Sequence, residues 1–165
     1  LADAPVEAVL VAEPALEGAA LTDEARAWRT QLLTMYRKWA AKRGMQIEEH
    51  GGNEPLLAIS GFGAYRQLEQ EAGLHVLETT ADDEGSRVIA RVRVAAAPLG
   101  DLPAAAAAKL LRAAIDKVAV SNTVVRRYRS GASPLVRDSK RGWRSGKLDA
   151  VLGGDFDLIG AGNVR

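Results

Sequence analysis

The chain has 165 residues, of which 47% are hydrophobic and 26% are charged, the composition of a single globular domain. It contains no cysteine and 2 histidines, which excludes disulfide scaffolds, thiol catalysis, iron–sulfur clusters and histidine-rich metal sites. No uninterrupted apolar run is long enough to span a bilayer, so no membrane partner is expected. The net charge of +1 hides an asymmetry, since residues 101–165 hold 12 Lys and Arg against 6 Asp and Glu. The C-terminal part is therefore expected to bind a polyanion, unless its excess of cations is neutralised within the fold by the excess of acids in residues 1–100.

Residues 1–20 are rich in Ala, Pro, Val and Glu without a clear period, which predicts a flexible or loosely docked segment with a short strand over Glu7–Ala12. A strong amphipathic helix follows, with Thr22 as its predicted N-cap and Gly44 as its stop. Its apolar stripe recurs every three or four residues and comprises Ala25, Trp28, Leu32, Met35 and Trp39. Such a stripe is typical of a helix that packs on a core.

Strand-like runs follow the helix. Met45–His50 and Leu56–Ser60 are predicted to form a hairpin around Gly51-Gly52-Asn53. Ala64–Glu71 is predicted as a short polar helix. The alternation in Leu74–Thr79 and Arg87–Ala95 predicts two further strands, the second with a partly basic open face.

The last third begins with an alanine-rich run over Ala104–Val120, whose high helix propensity predicts a helix. Val124–Arg129 is predicted as a strand, and residues 130–146 as a basic loop. Leu148–Leu152 and Asp155–Ile159 are predicted as short closing helices.

Known catalytic and cofactor motifs are missing from the sequence. His50 and His75 lack the serine and aspartate context of a triad, and Arg66 stands where a dinucleotide loop that began at Gly61 would need its third glycine. Asp82-Asp83-Glu84 is more typical of a solvated turn than of a cation site. We therefore predict no catalytic residue, no metal and no cofactor.

The most distinctive feature of the sequence is a cluster of basic residues near the C-terminus. The segment between Val124 and Lys147 contains one acid, Asp138, and two aromatic residues, Tyr128 and Trp143, among its cations. Arginine forks fit phosphate oxygens and aromatic faces stack on exposed bases, so this composition favours RNA binding over a merely solvated basic face. The predicted RNA-binding residues are Arg126, Arg127, Arg129, Arg137, Lys140, Arg141, Trp143, Arg144 and Lys147.

Several blocks of the sequence resemble one known family. Ala27-Trp28 and Leu32–Gly44 resemble the stretch DWASMLLRMYLRWAEARG, Ile59–Tyr65 resembles ISGDYAYG, and Glu71–His75 resembles ETGVH. Near the C-terminus, Val125–Tyr128, Val136–Asp138 and Ala150–Asp157 resemble IRSY, VKDLRT and AVLDGDLD in the same order. These motifs belong to class I peptide chain release factors, and among them are most similar to release factor 2. The resemblance covers residues 15–95 and 124–161.

The resemblance implies an α+β fold, a two-layer sandwich of a small, mainly antiparallel sheet with packed helices. Residues 21–161 would form the family's codon-recognition superdomain. In the family, a domain with a Gly-Gly-Gln loop triggers ester hydrolysis. Here no Gly-Gly-Gln occurs, and residues 99–123 would form an alanine-rich helix in place of that domain.

The codon-reading positions also depart from the family. Its Ser-Pro-Phe tripeptide falls on Thr80-Ala81-Asp82, and its codon-reading histidine and threonine fall on Ile89 and Ala90. An aspartate beside an mRNA phosphate is repelled, and the other replacements cannot make the family's contacts. The resemblance therefore implies a pseudo-release factor that neither reads stop codons nor hydrolyses peptidyl-tRNA.

Three functions follow as hypotheses. The first is a non-catalytic, RNA-binding protein of translation that binds rRNA and ribosomal proteins as a ribosome-associated or integral ribosomal component, in a mitochondrion or chloroplast rather than a bacterial cytoplasm. The second is an organellar protein that binds and stabilises a transcript, with Trp143 or Tyr128 stacked on bases. The third is a protein-interaction module that uses the acidic loop at Asp82-Asp83-Glu84 and has no direct RNA role.

Overall fold

The computed structural model describes residues 7–15, 22–52, 55–79, 86–97 and 104–156. Within these ranges the chain forms eight strands and four α-helices, with a short 3-10 turn at Glu69–Glu71 after the second helix. The strands are β1 (Glu7–Pro14), β2 (Gln46–His50), β3 (Leu56–Ser60), β4 (Gly73–Thr79), β5 (Ser86–Ala96), β6 (Val124–Ser130), β7 (Leu135–Asp138) and β8 (Trp143–Ser145). The helices are α1 (Asp23–Lys42), α2 (Ala64–Leu68), α3 (Ala104–Asp116) and α4 (Leu148–Leu152).

All eight strands belong to one sheet in the order β2-β3-β1-β5-β4-β6-β7-β8. Every neighbouring pair is antiparallel except β4 and β6, which run parallel because the chain passes through β5 and α3 between them. The predicted α+β fold with a mainly antiparallel sheet is confirmed.

Helices α1, α2 and α4 share one hydrophobic cluster on one side of the sheet, which we call the inner face. Helix α3 packs through Leu111 and Ile115 on the opposite, outer face, over β1, β3 and β5. The sheet thus carries helices on both faces in this half, one layer more than the sandwich we expected. Over β6, β7 and β8, the described residues place no helix on the outer face.

The strand predicted over Glu7–Ala12 forms and extends to Pro14. It is not loosely docked as expected, because it lies inside the sheet between β3 and β5. Ala8 and Leu10 contact the inner cluster, whereas Val9 and Val11 contact the α3 side. A strand covered on both faces is apolar throughout, so its sequence shows no alternation to identify it.

Helix α1 forms as predicted. The Thr22 hydroxyl accepts a hydrogen bond from the Ala25 amide at 3.1 Å, and Gly44 beyond the helix has a φ of 67°. Trp28, Leu32 and Trp39 lie fully inside the core. The 20-residue helix therefore supplies the largest part of the inner core.

The C-terminal third contains more structure than predicted. Residues 130–146, predicted as a loop, include β7 and β8, while α3 ends at Asp116 and not at Val120. Helix α4 matches its prediction; Asp155 and Phe156 are not helical, and the rest of the second predicted helix lies outside the described residues. No helix in the described ranges is long and apolar enough to cross a membrane.

Candidate nucleic-acid interface

The sheet divides the basic segment between its two faces. Successive residues of a strand point to opposite sides, so neighbouring arginines in β6 are separated. Arg126 and Tyr128 point to the inner face with Trp143 of β8, and all three are buried. Among the predicted RNA-binding residues, those that belong to the outer face are Arg127, Arg129, Arg137 and Arg144.

Arg126 is 0% exposed and lies at the centre of a buried ionic network. Its Nη1 and Nη2 donate to the two carboxylate oxygens of Glu71 at 2.9 and 2.6 Å. Its Nε and Nη2 donate to Asp138 at 3.0 and 2.8 Å, and Nη1 also donates to the Tyr128 hydroxyl at 2.7 Å. The prediction that Arg126 binds RNA is therefore wrong, because its donors are used inside the fold.

Arg141 closes the network from the turn between β7 and β8. Its Nη1 donates to Glu71 at 2.6 Å, Nη2 donates to the Gln67 carbonyl at 3.3 Å, and the side chain is only 11% exposed. The two guanidinium groups of Arg126 and Arg141 thus face the two carboxyl groups of Glu71 and Asp138. Arg141 is held by the core and is not presented to a ligand as predicted.

Both aromatic residues of the basic segment are buried as well. Tyr128 packs edge-on against Trp28 with 4.8 Å between ring centroids, and the Arg126 guanidinium lies 5.7 Å from the centre of the Trp143 ring. The predicted stacking of Trp143 or Tyr128 on RNA bases is wrong, because neither ring reaches the surface.

The network shifts the pKa of several of its members, among them Glu71 and His75. Burial alone raises the pKa of Glu71, but Arg126, His75 and Arg141 outweigh it and lower the value to about 2. Burial lowers the pKa of His75 to about 4, with Arg126 acting in the same direction against Glu71. His75 is therefore neutral at pH 7, with Nε2 donating to the Glu71 carbonyl and Nδ1 accepting from Tyr128, both at 2.8 Å.

Glu71 was not recognised from the sequence as part of this arrangement. It lies 55 positions before Arg126, at the end of the 3-10 turn that follows α2. Neither residue has a local pattern that marks it as buried, and only the tertiary structure brings them together.

On the outer face, three arginines stand directly opposite one another. Arg127 of β6 is paired in register with Arg137 of β7, and Arg137 is paired with Arg144 of β8. We call Arg127, Arg137 and Arg144 the arginine row. Among the described residues, Arg127 has one ionic partner, Glu78 at 3.6 Å, whereas neither Arg137 nor Arg144 forms an ion pair.

Like charges placed directly opposite in neighbouring strands destabilise a sheet. The arginine row places like charges opposite one another without an acid between its members, whereas Arg129 and Arg87 are each paired in register with Glu78. This arrangement is typical of a surface that meets an anion.

The comparisons with known proteins place the chain in a family context. A PCRF domain model matches residues 16–88. Release factor 1 of Lactiplantibacillus plantarum is 35% identical over 98 residues, which are 54% of this chain and 26% of that protein. The chain is related to the class I peptide chain release factors. Release factor 1 of Clostridium perfringens (strain SM101) matches similarly, at 31% over 96 residues.

The release-factor relationship extends to the fold. RF2 of Thermus thermophilus superposes with a TM-score of 0.65 at 20% identity, covering 98% of this chain and 68% of that one. In sequence, the matched part is about a quarter of the length of the curated relatives, 26% for each release factor 1 named above.

The positions that the resemblance aligns with the family's codon-reading residues are only partly described. Thr80, Ala81 and Asp82, with the rest of the acidic loop, lie outside the described residues. Ile89 is 36% exposed on the outer face, whereas Ala90 is buried on the inner face. As neighbours in one strand they cannot contact the same ligand group from one side.

Two predicted lysines lie outside the strands. Lys140 is exposed in the turn between β7 and β8, and Lys147 is exposed immediately before α4. Both are exposed as predicted, but they are not members of the arginine row.

Proposed function

We propose that this release-factor-like protein is a non-catalytic RNA-binding protein that associates with the ribosome. The arginine row carries the proposal, because it gathers two exposed arginines without ion-pair partners among the described residues, Arg137 and Arg144, beside the half-buried Arg127. Its class I relatives work with the ribosome, whose RNA supplies the polyanion that such a surface fits. Ribosomal proteins are the further partners that this association implies.

The non-catalytic part rests on the sequence between β5 and β6. The described residues there form one helix, α3, which Arg93 holds by donating to the carbonyls of Ile115 and Val118 at 2.9 Å each. The sequence contains no Gly-Gly-Gln. We propose that α3 replaces the domain that carries this loop in the family that the chain resembles. The substitutions at Ile89 and Ala90 support the loss of codon reading.

The transcript-binding alternative combines arginines that hold a single-stranded RNA with base stacking by Trp143 or Tyr128. The arginine row fits the first part, but both aromatic rings are buried, so nothing supports recognition of a particular transcript. The protein-interaction alternative used the acidic loop at residues 82–84, which lies outside the described residues. The relatives named above are bacterial, and we propose no organelle.

The test is sedimentation of the native protein from its own cell extract through sucrose gradients at low and high salt. We expect it to travel with a ribosomal subunit at low salt, and a triple Arg→Gln variant of the arginine row to remain near the top. A protein that stays at the top at every salt concentration contradicts ribosome association.

A second assay tests the absence of catalysis. Purified protein is added to ribosomes that hold peptidyl-tRNA at a stop codon, with a class I release factor as the positive control. We expect no peptide release above background. Measurable release overturns the proposal that the protein is non-catalytic.

A further inference from the structure

We propose that the arginine row binds one continuous sugar–phosphate strand that crosses β6, β7 and β8 at about a right angle, and that it recognises phosphates rather than bases. This inference rests on the proposed RNA-binding function and specifies which part of the RNA is contacted.

The direction follows from the register. Arg127, Arg137 and Arg144 are direct cross-strand partners, so their Cα atoms lie along the hydrogen-bonding direction of the sheet. Neighbouring strands are about 4.8 Å apart, which places the three residues on a line about 10 Å long. A straight line of cations is complementary to a linear polyanion.

The chemistry of the row favours phosphate. A guanidinium group matches two phosphate oxygens with two parallel N–H donors. Arg137 and Arg144 are exposed, and no hydrogen bond or ion pair within the described part of the chain engages their guanidinium groups. They can therefore turn their donors towards a ligand without breaking a contact of the fold.

The same face lacks a base-stacking platform. The described outer-face residues of β4, β6, β7 and β8 include no aromatic side chain, since Tyr128 and Trp143 belong to the inner face. Side chains on the face of a sheet this wide also cannot reach into the deep, narrow major groove of an RNA helix. Contacts are thus limited to the backbone, which carries no sequence information by itself.

Glu78 limits the path of the bound RNA at one end of the arginine row. It lies 3.6 Å from Arg127, the one ion pair that the described residues give the row, and it belongs to β4, on the far side of β6 from β7. Its carboxylate repels phosphate, so the strand's contacts end at Arg127. At the other end β8 is the last strand of the sheet among the described residues, so the RNA leaves over this edge.

The test measures RNA affinity as a function of salt for the full chain. The probes are 20-mers of oligo(A), oligo(U) and a mixed-sequence duplex, with inorganic polyphosphate as a competitor. We expect the affinities for oligo(A) and oligo(U) to agree within about threefold, and polyphosphate to displace both, because only phosphates are contacted. The triple variant R127Q/R137Q/R144Q should flatten the slope of log K against log[salt] by about 2 for a single strand, or about 0.7 per arginine.

Arg66→Gln is the matched control, because it removes one exposed arginine from α2, on the other side of the sheet. Its salt slope should equal that of the unmodified protein. Circular dichroism checks that each variant is folded, which we expect since all the substituted side chains are surface groups.

The outcomes separate this inference from the function on which it rests. If the full chain binds none of the RNA probes, the proposed function fails and the inference fails with it. If RNA binding is intact in the triple variant but lost in Lys140→Gln/Lys147→Gln, RNA binding stands and the row is not its site. A preference above about tenfold for one base, or no displacement by polyphosphate, overturns phosphate recognition.

Discussion

Arg137 illustrates how a single residue can oppose stability and serve binding. It lies between Arg127 and Arg144 in the register of the sheet, so it feels like charge from both sides. We expect Arg137→Gln to raise the free energy of unfolding by a few tenths of a kcal/mol at low salt, less in high salt, while RNA affinity falls.

Urea denaturation at two salt concentrations measures this effect. Lys140→Gln is the control, because Lys140 lies in a turn and has no directly opposed cation. A loss of stability in Arg137→Gln that exceeds the loss in the control contradicts the view that the row destabilises the fold.

Arg126 directly precedes Arg127 on β6, but it points into the core and stabilises the fold. Its removal leaves the buried carboxyl groups of Glu71 and Asp138 with much less compensation. We expect Arg126→Met to lower the free energy of unfolding by about 3–5 kcal/mol, whereas Arg127→Met on the same strand costs less than about 1 kcal/mol.

Urea denaturation tests this contrast. The double variant Glu71→Gln/Arg126→Met removes one uncompensated charge, so it should be more stable than Arg126→Met alone. Equal stability of the two variants would show that burial of the charge is not the cause.

At the scale of elements, α1 and α4 are locked together through the Gly153-Gly154-Asp155 turn. Lys42 binds Asp155 at 2.8 Å, and a Cβ atom on Gly154 would lie 2.7 Å from the Trp39 amide nitrogen. Gly154 also has a φ of 105°, which L side chains rarely adopt. The similarity of Ala150–Asp157 to the release-factor motif AVLDGDLD thus reflects packing between α1 and α4.

We expect Gly154→Ala to destabilise the protein by more than about 2 kcal/mol, since backbone clash is added to backbone strain. Gly142→Ala is the matched control, because φ is 74° there but nothing lies within 4 Å of the added Cβ. It should cost about 1 kcal/mol. Thermal unfolding compares the two, and an equal cost would contradict the close approach to Trp39.

The elements also differ in how far the sequence predicted them. Helix α1, the β2–β3 hairpin and β4–β6 carry caps, turn glycines or regular alternation, and these local signals suffice. Strand β1 lacks alternation because it is covered on both faces, and β7 and β8 are only 4 and 3 residues long. The sequence predicted a short strand over Glu7–Ala12 but not its place inside the sheet, and it gave no signal for β7 and β8, because strand pairing depends on neighbours that are remote in the sequence.

At the scale of the whole molecule, stability depends on pH through the buried network. His75 has a usual pKa of 6.5, which burial lowers to about 4, so between these values the unfolded chain binds a proton that the folded protein does not. Stability is therefore present in full above pH 6.5 and falls as the pH drops towards 4. Glu71, whose pKa is lowered from 4.5 to about 2, continues the loss below pH 4.5.

We expect the free energy of unfolding to fall by on the order of 1 kcal/mol per pH unit between pH 6.5 and 4. Denaturant titrations at a series of pH values measure this slope. His75→Gln should flatten the slope in that window and leave the decline below pH 4.5. If the free energy of unfolding falls as steeply between pH 6.5 and 4 in His75→Gln as in the unmodified protein, a group other than His75 causes the fall.

The sequence by itself determined the fold class, the release-factor relationship and the segment in which the cations lie, because composition, periodicity and motif order are local properties. Which cations face solvent was decided only by the tertiary structure. Strand pairing brings Arg127, Arg137 and Arg144 into one row, while Glu71, remote in sequence, draws Arg126 into the core. A strand alternates its side chains between two faces, and only packing decides which face is covered.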